Sequence, residues 1–446
     1  MSELLVNSAP SKDFFIKMIT KDVTVESCIL DLIDNSIDSH KKQKNGMPST
    51  IKISFSLEED VFSICDDCGG MSKVIAQEVA FKFGNEGKRN SGVLGMYGIG
   101  MKRSIFKIGE DFVVYSKTNE DSFKVFMNQE EWLKLKKEGE EVWKFYYEDC
   151  ENEFDNGVYI VVKKLSSSLR EYLSRPINID KLRRKIGSAY RDLLSKNIRI
   201  EINGEPVEYI SEVLYEADFL KTYVKTIHSI PGMKIKIIAG IGDPKPKQAG
   251  WNIISNGRVI IESNRDELTG WDAEYDAEED DVDEVLSQRT VPAYHNDFAR
   301  FRGFVFLYSD DSNLLPLNTT KDGIDEQHKI YRFIFKEMND ALRIILPKLR
   351  EFIQVSRELK NADKVAPEAF FVAKSVSDYY SQENSKFKFE VSEYKASDTI
   401  KNISMRIPAK RVEFLKDFFD VKTNKELGEK ILNFLIERID LQDEQL

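Results

Sequence analysis

From Val25 to Asp38 the apolar residues Val25, Ile29, Leu32, Ile33 and Ile37 recur at helical spacing and set one face of a helix for burial. Asp31, Asn35 and Asp38, at i, i+4 and i+7, form a narrow polar stripe on the other face. The period then drops to two: Ile51, Ile53, Phe55 and Leu57 alternate, and Val61-Phe62-Ser63-Ile64 follows Glu58-Glu59-Asp60, which predicts two adjacent strands joined by an acidic turn. Helices are predicted from about Ser72 to Phe83 and from near Met101, and another helical pattern closes between Leu182 and Asn197. Ile198 to Val207 reads as a hairpin turning at Asn203-Gly204. Further strands are predicted over Met233–Ile241, Trp251–Ile261 and Arg302–Tyr308, then a long helix from about Glu326 to Val355. After a weakly patterned linker, Ile403–Pro408 precedes two helical stretches, Ala409–Phe419 and Asn424–Ile439, whose stripe of Leu427, Ile431, Leu435 and Ile439 suits packing.

Composition narrows this picture. The 446 residues leave room for roughly three domains, and 41% hydrophobic residues with 28 Phe and 17 Tyr exclude wholesale disorder. No run approaches roughly 18 uncharged apolar residues, and Met1 to Lys21 has no compact apolar stretch, so a cytoplasmic protein with no membrane attachment is expected. Four cysteines are too few for a disulfide scaffold, and Cys65-x-x-Cys68 lacks a second ligand pair for zinc. A net charge of −11 argues against a uniformly basic nucleic-acid coat, though not against a local basic groove. Nine acids between Asp272 and Glu284 predict an extended, solvated loop. The last segment, Lys401 to Leu446, balances nine basic against nine acidic residues, which favours a dimerisation or partner-docking helix pair over a DNA-binding one.

Three stretches carry candidate chemistry. On the first helix Asn35 can offer a carbonyl oxygen to a hard cation, and Asp31, one turn away, can polarise a water. At the end of the second strand, Asp66 precedes Gly69-Gly70-Met71, so a carboxylate there can accept a hydrogen bond from an exocyclic amine such as that of adenine. Gly84 to Gly100 holds six glycines in seventeen residues, and Gly95-x-x-Gly98-x-Gly100 leads into a helix whose free N–H groups would face phosphates, with Lys102 adding charge.

In this order, Asp31-x-x-x-Asn35, Asp66-x-x-x-Gly70 and Gly95-x-x-Gly98-x-Gly100 resemble the motifs of the GHKL ATPase superfamily, which includes gyrase B subunits, MutL, MORC proteins, the large heat-shock chaperone and histidine kinases. Leu32-Ile33-Asp34-Asn35-Ser36-Ile37-Asp38 is most similar to MORC-like and prokaryotic heat-shock-chaperone-like members. The resemblance implies an α+β chain: a Bergerat-type α/β sandwich, helices on one face of a mixed sheet, over 1–196; a transducer-like α/β domain over 197–359; and a linker with a small, mostly helical unit over 360–446. Carried over by position, Asn35 becomes the Mg2+ ligand and Asp66 the adenine reader. Gly70 and Met71 shape the base pocket, and Gly95, Gly98, Gly100 and Lys102 hold the phosphates. Asp31 stands where the gyrase and MutL branch has a catalytic Glu, and Lys321, in Leu317-Asn318-Thr319-Thr320-Lys321-Asp322-Gly323, where that branch has a lysine reaching the γ-phosphate.

Three departures qualify the match. Asp31 is one methylene shorter than Glu, Cys68 replaces the first glycine of the second motif, and Gly157-Val158 lacks the hydroxyl of a Gly-Thr pair that would help fix the adenine-binding carboxylate. The reading that follows is Mg2+-dependent ATP binding and slow hydrolysis, driving a clamp that acts on a DNA or protein client, with an ATP-dependent homodimer expected. The alternative is a nucleotide-gated binding module with negligible turnover. None of the four His precedes the ATPase motifs on an evident dimerisation helix, which argues against a histidine kinase.

Overall fold

The computed structural model describes residues 10–43, 47–83, 99–137, 140–151, 153–272, 291–318, 323–361, 365–390 and 407–439. Gly95, Gly98, Lys321, nearly all of the acidic loop and the residues 401–406 lie outside them. By internal contacts the chain divides into two compact units, one of Met1–Arg357 with Pro367–Lys395 and one of Glu358–Ala366 with Ala396–Leu446.

The larger unit begins with two helices, α1 (Lys12–Lys21) and α2 (Val25–Gln43), followed by strands β1 (Ser49–Ser56) and β2 (Val61–Asp66). Helix α3 (Gly100–Ile108) runs into β3 (Gly109–Lys117), and β4 (Ser122–Met127), β5 (Tyr146–Asp149) and β6 (Gly157–Leu165) follow. Helix α4 (Pro176–Ala189) leads to the hairpin β7 (Ile198–Ile202) and β8 (Glu205–Pro206). These strands form one sheet in the order β8-β7-β1-β2-β6-β3-β4-β5. Its pairs are antiparallel except β1 with β7, which run parallel with Ile51 opposite Ile200. Strict alternation in β2 and β3 turns Phe62, Ile64, Phe112 and Val114 inward, where they meet Ile29, Ile33 and Ile37 of α2, Ile105 and Phe106 of α3, and Leu182 and Ile186 of α4. The result is an α+β sandwich with helices on one face of a mixed sheet, the fold class the resemblance implied.

The helix expected over Ser72–Phe83 takes another form. Lys73–Ile75 makes a single α turn and Ala76–Ala80 a π turn, closed by the Phe81 amide on the Ala76 carbonyl. The wider turn seats Phe81 6.1 Å from the Phe145 ring, while Phe83 packs on Phe15, Trp143 and Phe106.

A second sheet collects β9 (Tyr223–Ile227), β10 (Met233–Ile241), β11 (Gly250–Ser255), β12 (Arg258–Asn264) and β13 (Phe301–Ser309) in the order β9-β10-β13-β11-β12. The single strand expected over Trp251–Ile261 is two strands, β11 and β12. The chain reverses at Asn256 (φ 49°) and Gly257 (φ 87°), left-handed positions that an Asn-Gly pair adopts readily in a tight hairpin. The long helix α5 (Lys329–Asn361) covers one face through Ile334, Met338, Leu342 and Ile345, and Leu214, Val376 and Tyr379 cover the other. In the smaller unit α6 (Ala409–Phe419) and α7 (Asn424–Ile439) form a helix pair in which Phe419 and Phe434 meet at 5.7 Å, and a Thr423–Glu426 exchange of side-chain and backbone bonds starts α7. No described helix is long and apolar enough to cross a membrane.

Candidate functional site

Helix α2 carries the candidate site, and its polar stripe is only in part a solvated face. Ile29, Leu32, Ile33 and Ile37 are buried as the spacing predicts, yet Asp31 and Asp34 are buried too, while Asn35, next to Asp34, is exposed. Buried carboxylates need partners. Arg103, one turn into α3, donates from Nη2 to Asp31 Oδ2 at 2.7 Å. Arg258 donates from Nη1 to Asp34 Oδ2 and lies 3.8 Å from Asp31 Oδ1, while the Tyr190 hydroxyl donates to Asp34 Oδ1 at 2.8 Å. Burial works to discharge the Arg258 guanidinium, but the surrounding Asp34 and Asp31 carboxylates prevail and hold its pKa above the usual arginine value. Burial, reinforced by Asp34, keeps the Tyr190 phenol protonated.

At the other end of the site, the Asp66 carboxylate is gripped from three sides. Ser36 Oγ donates to Oδ2 at 2.6 Å, and Oδ1 accepts the Cys68 amide at 2.9 Å and the Val158 amide at 3.3 Å. A carboxylate offers about four acceptor positions, so an amine can still be accommodated. Burial raises the Asp66 pKa, against the pull of these three bonds. Ser36 of α2 thus brings a hydroxyl to the Asp66 carboxylate, which Val158 reaches through its backbone amide. Cys68 tolerates its place because the left-handed positions fall on Gly69 (φ 108°) and Gly70 (φ 76°). A Cβ on Gly70 would sit 2.1 Å from the Lys117 carbonyl oxygen, and one on Gly157 only 1.8 Å from that of Asp66, so both glycines permit close backbone approach. Met71 is fixed beside them by reciprocal bonds between its backbone and the Ser116 hydroxyl, at 2.8 and 3.0 Å.

Gly100 opens α3 so close to α2 that a Cβ there would lie 3.8 Å from Asp31 Oδ2. Lys102 turns elsewhere: its buried Nζ donates to the Ala80 carbonyl at 2.6 Å and lies 5.6 Å from the Phe83 ring, and burial pushes its pKa down to about 8. Asp31 and Gly100 are therefore brought together, with Asn35 one turn further along α2, while Ser36 and Ser39 of the same helix hold Asp66 and Gly70, and Met71 follows them in the chain. Lys102 faces the π turn, and Gly95, Gly98 and Lys321 are not among the described residues. The sequence reading did not single out Ser36, Arg103, Tyr190 or Arg258. Ser36 and Arg103 lie within or one turn beyond the motifs and could have been found there, whereas Tyr190 and Arg258 carry no local signal.

Among the described residues no group of three or more His, Cys, Asp or Glu is arranged to hold a metal. The exposed Asn35 amide fits a Mg2+ ion that takes one ligand from the protein and the rest from phosphates and water, the usual mode for nucleotide-bound Mg2+. Residues 23–156 match the sequence model of a family described as histidine kinase-, DNA gyrase B-, and HSP90-like ATPase. Compared with curated proteins, the chain matches none.

Proposed function

We propose that the protein, whose residues 23–156 match a family described as histidine kinase-, DNA gyrase B- and HSP90-like ATPase, binds ATP with Mg2+ and hydrolyses it slowly, opening and closing a clamp on a protein or DNA partner. What supports this most is that α2 joins the two ends of one site. Ser36 fastens Asp66, the proposed adenine acceptor, while Asp31 on the same helix lies beside Gly100, where the glycine motif enters α3. Gly70 and Met71 would border the base, Asn35 would hold Mg2+ through its side-chain carbonyl, and Gly95, Gly98 and Gly100 would offer the phosphates backbone N–H groups. The cation would neutralise phosphate charge and fix the orientation of the chain. Asp31 aims the attacking water and takes its proton. The ion pair with Arg103 at 2.7 Å occupies Asp31 Oδ2, so the carboxylate must share or leave that bond to engage a water, and turnover is slow. The same pair favours the second reading, a nucleotide-gated module with negligible turnover.

Calorimetric titration and phosphate release separate the two. Asp31→Asn is expected to bind Mg·ATP within about threefold of wild type while phosphate release falls to background, and Asn35→Ala to lose the Mg2+-dependent part of binding. Unchanged turnover in Asp31→Asn would remove Asp31 as the base. ATP binding without phosphate release in the wild type would select the nucleotide-gated module.

A further inference from the structure

The turn between β11 and β12 reaches out of the second sheet and grips the nucleotide helix. Lys41, near the end of α2, donates from Nζ to the Asn256 carbonyl, and two residues later Arg258 is buried against Asp34 and Asp31 of the same helix. The turn is not free to slide by itself. Asn256 exchanges side-chain bonds with the backbone of Ser309 at the end of β13, at 2.9 and 3.2 Å, and Gly257 is pressed so tightly on Leu193 that a Cβ would fall 3.1 Å from it. Any shift of β13 therefore carries the turn with it, and the turn carries Arg258.

Asp34 adjoins Asn35 and lies three residues from Asp31, so whatever holds Asp34 sets the rotation of α2 and the aim of both side chains. The planar, always charged guanidinium can address two carboxylates at once, which a compact ammonium does less well. Arg258 touches neither the proposed base pocket residue Asp66 nor the proposed Mg2+ ligand; it reaches Asp31 through the 3.8 Å ion pair and the rest of the site through the helix.

We propose that Arg258 is a positioning residue: it locks the register of α2, and with it Asp31 and Asn35, to the second sheet, so that nucleotide state and the placement of that sheet report on one another. The proposal rests on the ATPase reading above. It implies that replacing Arg258 loosens the aim of Asp31 and Asn35 without removing any group that touches nucleotide.

The test uses the full chain as wild type, Arg258→Met, Arg258→Lys, Asp34→Asn and the Arg258→Met/Asp34→Asn pair. Calorimetry with a non-hydrolysable Mg·ATP analogue gives affinity, phosphate release gives kcat and KM, and hydrogen exchange follows residues 250–264. Arg258→Met is expected to lower kcat roughly tenfold or more while changing analogue affinity by less than about threefold. Arg258→Lys is expected to recover part of the loss, and the double variant to be no worse than the poorer single one, as for two residues acting through one contact. Analogue binding is expected to change exchange in 250–264 in the wild type and not in Arg258→Met with nucleotide bound. Unchanged kcat with unchanged exchange coupling would overturn the proposal, as would additive losses that follow melting temperature alone. Should Arg258→Met not fold, Arg258→Lys and Asp34→Asn carry the same comparison. Wild-type protein that does not bind ATP would sink the ATPase reading itself and this proposal with it. Wild-type protein that binds but does not turn over leaves the exchange comparison to decide.

Discussion

A carboxylate can accept a bond from a base amine only if it stays ionised in a place with little water, and Asp66 meets those opposed demands through its three donors. Burial raises its pKa, so the acceptor form is lost on acidification earlier than for an ordinary carboxylate near about 4. The folded chain binds this proton more tightly than the unfolded chain, so Asp66 favours folding at low pH and loses that contribution as pH rises through its folded pKa. Adenine recognition needs the ionised form and moves the other way. ATP affinity measured by calorimetry is thus expected to fall as pH is lowered through the Asp66 pKa. In Asp66→Asn affinity should be weaker by about 1–3 kcal/mol at neutral pH, the cost of a mismatched buried amide, and this part of the pH dependence should vanish. A pH profile identical in wild type and Asp66→Asn would take Asp66 out of the base pocket.

Among the elements, the start of α3 offers the clearest stability test. Lys102 sits at its first turn with its amine buried against the π turn, and burial lowers its pKa to about 8. The unfolded chain keeps the ordinary lysine value near 10.4. Between these values the unfolded state holds a proton that the folded state has released, so stability rises with pH across that window. Denaturant unfolding at pH 7.5 and pH 10.5 is expected to show wild type gaining on the order of 2–3 kcal/mol relative to Lys102→Met. Equal slopes in both proteins would mean that the lysine keeps its proton in the fold. The same scale shows what periodicity can disclose. The face of α2, the turn from β1 to β2 and the limits of β10 and α7 are written in local spacing and appear where the sequence predicts them. Strand β11 is buried along its whole length, so no alternation marks its end, and the Asn256-Gly257 turn was absorbed into one long strand although that pair is itself a hairpin signal. The parallel pairing of β1 with β7 joins segments about 150 residues apart, beyond the reach of any local pattern. For the candidate site the sequence marks the helix and the strand end, but not that Asp31 and Asp34 are buried. Their partners Arg103 and Arg258 come from elements that only the assembled fold brings near.

For the whole molecule, the clamp reading requires that ATP favour a state in which two copies associate, and a nucleotide shifts such an equilibrium only by its difference in affinity for the two states. ADP lacks the group that Lys321 is proposed to sense, so the two nucleotides should part company. Each copy carries a net charge of −11, so association works against repulsion between like-charged bodies, which salt screens over about 10 Å at 0.1 M. Sedimentation velocity is therefore expected to give a dimer with a non-hydrolysable ATP analogue and a monomer with ADP or no nucleotide. The dimer should be strengthened by moderate salt rather than dissolved by it, since the opposing term is the screened one. Lys321→Ala should still bind the analogue in calorimetry yet remain monomeric, because the phosphate is held but no longer reported. The same sedimentation coefficient in all three nucleotide states, at low and at moderate salt, would defeat the clamp. Nucleotide-dependent association that persists in Lys321→Ala would keep the clamp and move the sensing of the γ-phosphate to another residue.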